Sequence, residues 1–279
     1  MIHVYRTREG LAIRRPHDDT ALRRCPGVAW DELFRSEDPA GLLMEAVDHD
    51  GRGAPPDIDD LLPLVVGQEV WAAGVTYYRS RTARMEEAEQ AGGGSFYDRI
   101  YAAERPELFF KGNARTVVAP GAPIRIRADA SWNVPEPELV LAVNAAGRII
   151  GYTAGNDVSS RDIEGENPLY LPQAKVYDGS CSLGPALVIA DELPDGSTPI
   201  QLTITRADAP VFQGETSLAE LKRKPEELVS YLYREQRFPD GAYLMTGTGI
   251  VPDDDFTLQS GDTVLIRVGT LPALTNTVA

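Results

Sequence analysis

The sequence predicts an α+β fold made mainly of β-strands, and three observations support this prediction. From Lys111 onward, short runs rich in valine and isoleucine alternate with Gly, Pro or Asp turns, which is the pattern of strands. Regularly alternating strand and helix units are absent, which argues against a barrel. No GxGxxG or Walker-type loop occurs, which argues against a dinucleotide-binding fold. The chain of 279 residues is long enough to bury a substantial core.

The N-terminal part is predicted to form a small domain over residues 1–65, followed by a catalytic domain over residues 66–279. The boundary rests on HDGRGAPPDIDD at 49–60, which is dense in Gly, Pro and Asp and predicts a turn-rich junction. Before the junction, IHVYR, GVAWDELF and LLMEAV indicate a unit of mixed structure. After it, residues 71–94 are predicted to start as a strand and to continue as a helix that ends at three glycines.

The remainder of the chain is predicted to contain strands and one clear helix. Five segments are expected to hold the strands: TVVAPGAPIRIRADA, ELVLAVNAAGRIIGYTAGNDVS, PALVIADEL, IQLTITRAD and DTVLIRVG. Residues 145–147 lie inside the second segment, where they join two strand runs and predict a hairpin. The helix is indicated by a first-turn proline and by apolar residues at helical spacing: Pro225, Leu228, Tyr231 and Leu232.

Composition and charge exclude several classes of protein. No stretch approaches the ~18 apolar residues that a membrane span needs, and the N-terminus does not resemble a secretory signal, so we expect a cytoplasmic protein. The 42 acidic and 27 basic residues give a formal charge of −15, which argues against binding of nucleic acid. With two cysteines, a disulfide scaffold is excluded, and a Cys/His zinc site is not expected. The three histidines are His3, His17 and His49, so chemistry later in the chain must use carboxylates, lysine, tyrosine or water.

Acidic residues are concentrated at the ends of two predicted strands. Glu136 and Glu138 are two residues apart, so their side chains point to the same face of a strand. On a buried face two carboxylates repel each other, and a divalent cation removes that cost. Asp157 ends the next strand and can complete one face of an octahedral Mg²⁺, Mn²⁺ or Ca²⁺ site. The alternative is an exposed acidic strand edge. Lys175 lies downstream, where it can stabilise an oxyanion, move a proton or form a plain salt bridge.

The ordered motifs resemble the fumarylacetoacetate hydrolase family over roughly residues 68–279. They are the Glu-x-Glu pair, NDVSSRD, a lysine followed by a Gly-Pro pair, GVTYYRSR, FFKGN, TGTGIVP and DTVLIRVGTLPALTN. The resemblance implies the family's β-rich fold and a divalent cation, usually Mg²⁺, that opens onto the substrate. It implies three metal ligands: Glu136, Glu138 and Asp157. The family's oxyanion-side basic residues correspond to Arg161 and Lys175.

Two departures from the family pattern bear on the reaction. Hydrolases of the family carry a histidine shortly after a tyrosine, as the base that activates water, whereas residues 77–82 contain none. Glu164 stands where glutamine often follows the Arg-Asp pair. PEPEL, RPELFFKGNARTVV and RDIEGENPLYLPQAKVYDGSCSLGP resemble instead the branch of the family that dehydrates 2-keto-3-deoxy-D-pentonates. This resemblance implies loss of water to give 2-oxoglutarate semialdehyde in oxidative pentose degradation.

The implied mechanism assigns a task to each candidate residue. The substrate's carboxylate and C2 ketone chelate the cation, which acidifies the C3 protons. Lys175 and Glu164 are the candidates for base and acid, in an order that stays open, and Lys175 or Arg161 stabilises the C2 oxygen. Four residues are candidates for holding the substrate's carboxylate or hydroxyls: Arg79, Ser80, Arg81 and Thr248.

Alternative functions remain open on the sequence alone. An acylpyruvate hydrolase or a 2-keto acid decarboxylase of the same family would use the same chelate. A non-catalytic β-rich binding protein would hold the cation as a structural element. The expected partner is a small 2-keto sugar acid, with no nucleic acid and no membrane, and the resemblance implies a homo-oligomer, either a dimer or a tetramer.

Overall fold

The computed structural model describes residues 1–15, 21–48, 53–54, 56–77 and 103–279. The strands in these residues are β1 Ile2–Thr7, β2 Gly10–Arg14, β3 Arg23–Cys25, β4 Glu69–Gly74, β5 Glu107–Gly112, β6 Val117–Val118, β7 Asn133–Val134, β8 Pro137–Val143, β9 Ile149–Asp157, β10 Ser159–Ser160, β11 Cys181–Ile189, β12 Pro199–Arg206, β13 Ala209–Ser217, β14 Ala242–Met245, β15 Thr263–Val268 and β16 Leu274–Thr277. The α-helices are α1 Trp30–Arg35, α2 Pro39–Ala46, α3 Arg161–Glu166, α4 Leu171–Lys175 and α5 Pro225–Leu232. Three single 3₁₀ turns cover Ile58–Asp60, Pro168–Tyr170 and Leu218–Glu220.

Two sheets account for most of the described strands. The larger has ten strands in the order β3-β2-β1-β11-β9-β8-β14-β4-β5, with β6 paired to β11. The smaller has four strands in the order β13-β12-β15-β16. Most pairs are antiparallel, while β14 runs parallel to β4 and β6 runs parallel to β11. The predicted α+β, mainly β fold is therefore confirmed.

The central strands of the large sheet are covered on both faces. Every residue of β8 is buried, although side chains alternate between the two faces. Leu139 and Leu141 pack in a core that includes the small sheet and α5. Val140 and Ala142 pack in a second core on the opposite face, together with α1 and α2. Burial on both faces explains why residues 139–143 of this strand form a continuous apolar run rather than an alternating one.

We expect Leu141→Ala to lower the free energy of unfolding by about 2–5 kcal/mol, because Leu141 is fully buried and its truncation leaves a cavity. Urea-induced unfolding followed by circular dichroism measures the change. The control is Val211→Ala on the outer strand β13, where the side chain is 40% exposed and the expected change is within about 0.5 kcal/mol. Equal losses in the two variants would contradict the burial of Leu141 in the core between the large sheet and the small sheet.

Local predictions are partly confirmed. Residues 144–148 connect β8 to β9 as a hairpin, and Gly147 has φ +77°, a conformation that favours glycine. Helix α5 begins at Pro225 as predicted, and its buried face is formed by Leu228, Val229 and Leu232. The prediction of a strand at IRIR, residues 124–127, is wrong: Ile124 makes one isolated bridge, to Val278. None of the helices in the described residues has the length and apolar character that a bilayer span requires.

The N-terminal strands belong to the large sheet. β1 pairs antiparallel with β11, and α1 and α2 pack against the same sheet. The division into a small N-terminal domain over residues 1–65 and a catalytic domain over residues 66–279 therefore stays a prediction, and the large sheet crosses the proposed boundary. β4 starts the stretch predicted at 71–94, and the helix predicted after it lies outside the described residues.

Candidate active site

Three acidic side chains meet where β8 begins and β9 ends. Glu138 lies opposite Gly155 in the antiparallel register. Glu136 and Asp157 exchange two backbone hydrogen bonds, at 3.2 and 3.0 Å, and so lie directly across from each other. One carboxylate oxygen from each residue lies within 4.8 Å of the others, and all three residues are at most 5% exposed. The structure thus forms the buried acidic triad that the sequence predicts.

The triad carries an electrostatic cost that a cation would relieve. Burial, together with the neighbouring charges of Asp157 and Glu136, raises the pKa of Glu138 well above its usual value. A divalent cation among these oxygens would favour the ionised form. Three carboxylate oxygens are the hard donors that Mg²⁺, Mn²⁺ and Ca²⁺ prefer. The donor set therefore fits a divalent metal.

One oxygen of each triad carboxylate is contacted by a neighbouring group of the protein. The three contacts are Arg161 Nη2 to Glu136 Oε1 at 2.7 Å, the Gly247 N–H to Glu138 Oε2 at 2.5 Å, and Lys111 Nζ to Asp157 Oδ1 at 2.5 Å. Arg161, Gly247 and Lys111 lie on three different parts of the chain, at the start of α3, after β14 and on β5. Their contacts fix the orientation of the carboxylates within the buried site.

Lys175 sits against the triad at the end of α4. Its Nζ donates to Glu136 Oε2 and Asp157 Oδ2, each at 3.0 Å, and to Ser159 Oγ at 2.5 Å. The residue is 1% exposed, and its ammonium lies 5.6 Å from the centre of the Phe109 ring. Lys175 donates all three of these hydrogen bonds, so it is a hydrogen-bond donor in this arrangement.

Arg161 connects the triad to Glu164. The two residues share the first turn of α3, where a carboxylate is favoured by the helix dipole. Both are 1% exposed, and Arg161 Nε lies 4.0 Å from Glu164 Oε2. The same guanidinium donates to Glu136, so one side chain touches two of the candidate site carboxylates.

The charges of this buried cluster nearly balance. Its acids are Glu136, Glu138, Asp157 and Glu164, and its bases are Lys111, Arg161 and Lys175. With all seven ionised, the cluster has one excess negative charge. A divalent cation would leave one positive charge, which a singly charged keto acid can balance.

Sequence reasoning missed Lys111 and the role of Gly247. In the sheet order β5 is four places from β9, a separation of about 19 Å in a flat sheet, so the Lys111–Asp157 contact exists because the sheet curls. The sequence feature that could have indicated a buried functional lysine is the position of Lys111 directly after two phenylalanines, in FFKGN. Gly247 has φ +92°, and a Cβ there would collide with the Thr76 hydroxyl, so its glycine allows the approach to Glu138.

The predicted substrate-binding residues are only partly placed. Thr248 is 3% exposed, next to Gly247, and its hydroxyl bonds to the backbone of Ile250 at 3.2 Å. Arg79, Ser80 and Arg81 lie outside the described residues.

Residues 77 and 103–104, which are described on either side of the segment that contains these three residues, contact one short stretch of chain. Tyr77 forms an isolated bridge with Leu221, and Arg223 donates to the carbonyls of Ala103 and Glu104, at 2.6 and 3.1 Å. Residues 221–223 thus hold the chain on either side of the predicted substrate contacts.

His3, the histidine found among the described residues, lies far from the triad. His3 pairs with Val188, whereas Cys181 at the other end of β11 pairs with Asp157. Seven residues of strand separate the two ends by roughly 20 Å. Burial and the positive charge of Arg14 lower the pKa of His3 to about 4. His17 and His49 lie outside the described residues.

Comparisons with known proteins agree on one family. A family model described as "Fumarylacetoacetate (FAA) hydrolase C-terminal" matches residues 76–279. The chain is 46% identical over 215 residues to a Haloferax volcanii protein named "Probable 2-keto-3-deoxyxylonate dehydratase", covering 77% of this chain and 73% of that protein. It is 42% identical over 208 residues to the 2-dehydro-3-deoxy-D-arabinonate dehydratase of Saccharolobus solfataricus, covering 74% and 70%.

A solved structure shares the whole architecture. It is a 2-keto-3-deoxy-D-arabinonate dehydratase complexed with magnesium and 2,5-dioxopentanoate. The TM-score is 0.82 at 32% sequence identity, and the match covers 99% of this chain and 98% of the other. The likeness therefore includes the N-terminal strands as well as the part that holds the triad.

Proposed function

Since the chain belongs to the fumarylacetoacetate hydrolase family, we propose that it is a metal-dependent dehydratase that converts 2-keto-3-deoxy-D-pentonates, such as arabinonate and xylonate derivatives, to 2-oxoglutarate semialdehyde. The observation that carries the proposal is the buried triad beside Lys175, in a chain 46% and 42% identical to two proteins named as such dehydratases. 2,5-Dioxopentanoate, present in the related solved structure, is 2-oxoglutarate semialdehyde under another name.

Glu136, Glu138 and Asp157 would hold the metal, because they are the three carboxylates whose oxygens lie within 4.8 Å of one another. When bound there, Mg²⁺ supplies Lewis-acid polarisation of the substrate's ketone, which makes the C3 protons more acidic. Three protein ligands leave coordination positions for the carboxylate and ketone oxygens of a 2-keto acid.

Lys175 and Glu164 would move the protons of the dehydration. Loss of water requires that one proton leave C3 and that the C4 hydroxyl leave with a proton. Lys175 is a donor in the structure and suits protonation of the leaving hydroxyl. Glu164, an acceptor when ionised, suits removal of the C3 proton. The resulting C3–C4 alkene becomes the C5 aldehyde when one hydrogen shifts from C5 to C3 and the enol tautomerises.

Arg161 would stabilise the negative charge that develops during proton removal. Its guanidinium is fully buried and already lies between two acids, Glu136 and Glu164. In a site from which water is excluded, a fixed positive group aimed at developing charge is effective without reorganisation. Arg79, Ser80, Arg81 and Thr248 remain the proposed contacts to the substrate's carboxylate and hydroxyls.

The reaction is tested by its product. Purified protein with Mg²⁺ and 2-keto-3-deoxy-D-arabinonate or -xylonate should yield 2-oxoglutarate semialdehyde, measured through an aldehyde dehydrogenase that reduces NADP⁺. In D₂O, deuterium should appear at C3 of the product by NMR, because protons are exchanged at that carbon. Cleavage of an acylpyruvate to pyruvate and a carboxylic acid, without dehydration of the sugar acid, would identify a hydrolase, and release of CO₂ from a 2-keto acid would identify a decarboxylase.

The setting of the enzyme is also proposed. Both cysteines are free and buried, which suits a reducing compartment, and we propose that the protein is cytoplasmic. We further propose a homo-oligomer, a dimer or a tetramer, as the family resemblance implies. Light scattering of the purified protein distinguishes these states from a monomer.

A further inference from the structure

Lys111 is a buried lysine that the proposed chemistry does not use. It is fully buried on β5, and its Nζ donates to the carbonyls of Lys175 and Val158, at 2.6 and 3.0 Å. It also forms an ion pair with Asp157 Oδ1 at 2.5 Å. Two N–H groups of the ammonium are donated to the carbonyls, and the charge of the ammonium is paired with Asp157, so Lys111 is engaged by groups of the protein itself.

The contact of Lys111 is restricted to one oxygen of Asp157. The other oxygen, Oδ2, accepts from Lys175 at 3.0 Å. Because two backbone carbonyls hold the Lys111 ammonium in place, it cannot follow the carboxylate if Asp157 rotates. Rotation would break a buried ion pair, which is costly. Asp157 can therefore present only one of its two carboxylate oxygens to a cation bound between Asp157, Glu136 and Glu138.

We propose that Lys111 is a positioning residue that sets the metal preference of the site, by keeping Asp157 from offering both oxygens to a cation. The inference rests on the metal site of the proposed function and adds a preference for Mg²⁺ over Ca²⁺. Mg²⁺ binds in octahedral geometry at ~2.0–2.1 Å, whereas Ca²⁺ takes six to eight oxygens at ~2.3–2.6 Å and often binds both oxygens of a carboxylate. Carboxylates that are held to one oxygen each favour the smaller cation.

The test is Lys111→Met, which keeps the length of the side chain and removes its charge. Dissociation constants for Mg²⁺ and Ca²⁺ are measured by isothermal titration calorimetry on metal-free protein without substrate. We expect the ratio of the Ca²⁺ dissociation constant to the Mg²⁺ dissociation constant to fall about tenfold, so that Ca²⁺ gains affinity relative to Mg²⁺. Tenfold is the lower end of the change in metal affinity that follows when a group that orients a metal ligand is replaced. The proposal is overturned if the variant folds and the ratio of the two dissociation constants stays unchanged, whether both cations bind as in the wild type or both bind more weakly by the same factor.

Two further variants complete the experiment. Arg206→Met removes the cation from another buried carboxylate, Asp262, which Arg206 contacts at 2.7 Å on the small sheet, and it should leave the ratio unchanged. Should Lys111→Met fail to fold, Lys111→Gln provides a neutral amide that can still donate to the carbonyls, and the same fall is expected. Wild-type protein that binds both cations but dehydrates no keto acid contradicts the proposed reaction and leaves the metal preference standing.

Discussion

Replacing Glu138 with glutamine should abolish both metal binding and turnover. The change removes one negative charge from a triad that is buried and would otherwise bind the cation with three carboxylates. Without activation by the metal, the activation free energy of the dehydration should rise by several kcal/mol, which lowers kcat/KM by about a thousandfold or more. Isothermal titration with Mg²⁺ and the coupled semialdehyde assay measure the two losses, and EDTA should silence the wild-type enzyme in the same assay.

The matched control for Glu138→Gln is Asp262→Asn. Asp262 is fully buried and is paired with Arg206 rather than with the triad. This variant should lose stability, measured as a lower Tm, and should bind Mg²⁺ as the wild type does. Full activity in Glu138→Gln, or in wild-type protein freed of metal, would show that the triad is not the metal site.

Replacing Lys175 with methionine should lower kcat by about 10²–10⁴-fold, the usual contribution of a positioned acid or base. Metal binding should be retained, because removal of a positive charge beside Glu136 and Asp157 does not weaken their attraction for another cation. Steady-state kinetics with saturating Mg²⁺ gives kcat, and calorimetry gives the dissociation constant of the metal.

The control for Lys175→Met is Lys224→Met. Lys224 is an exposed lysine just before α5, and its loss should change neither quantity. A parallel loss of metal binding and kcat in Lys175→Met would mean that Lys175 holds the carboxylates in place instead of taking part in proton transfer.

Some features of the site are readable from sequence because their geometry is local. The two-residue period of a strand places Glu136 and Glu138 on one face, and a hairpin brings the end of β9 back to the start of β8. Asp157 therefore arrives opposite Glu136 through connections of only a few residues. The mainly β fold is readable for the same reason, since strand runs and turn residues are local patterns.

Other features depend on the path of the whole sheet. Lys111 reaches Asp157 through sheet curvature, and Gly247 reaches Glu138 because β14 inserts beside β8. Neither contact has a fixed spacing in the sequence. The strand expected at 124–127 fails for a similar reason: an apolar alternation forms a ladder only if a partner strand lies alongside, and Ile124 finds one bridge.

The position of β14 has a consequence for the synthesis of the protein. In the described sheet β14 lies between β4 and β8, although it follows β9 by about 85 residues in the chain. At ~5–20 residues per second, a ribosome needs several seconds to make that stretch. During this time the facing edges of β4 and β8 have no strand between them, and unpaired edges invite pairing with other chains. A nascent chain must therefore protect two open strand edges until β14 emerges, and only then can the N–H of Gly247 reach Glu138.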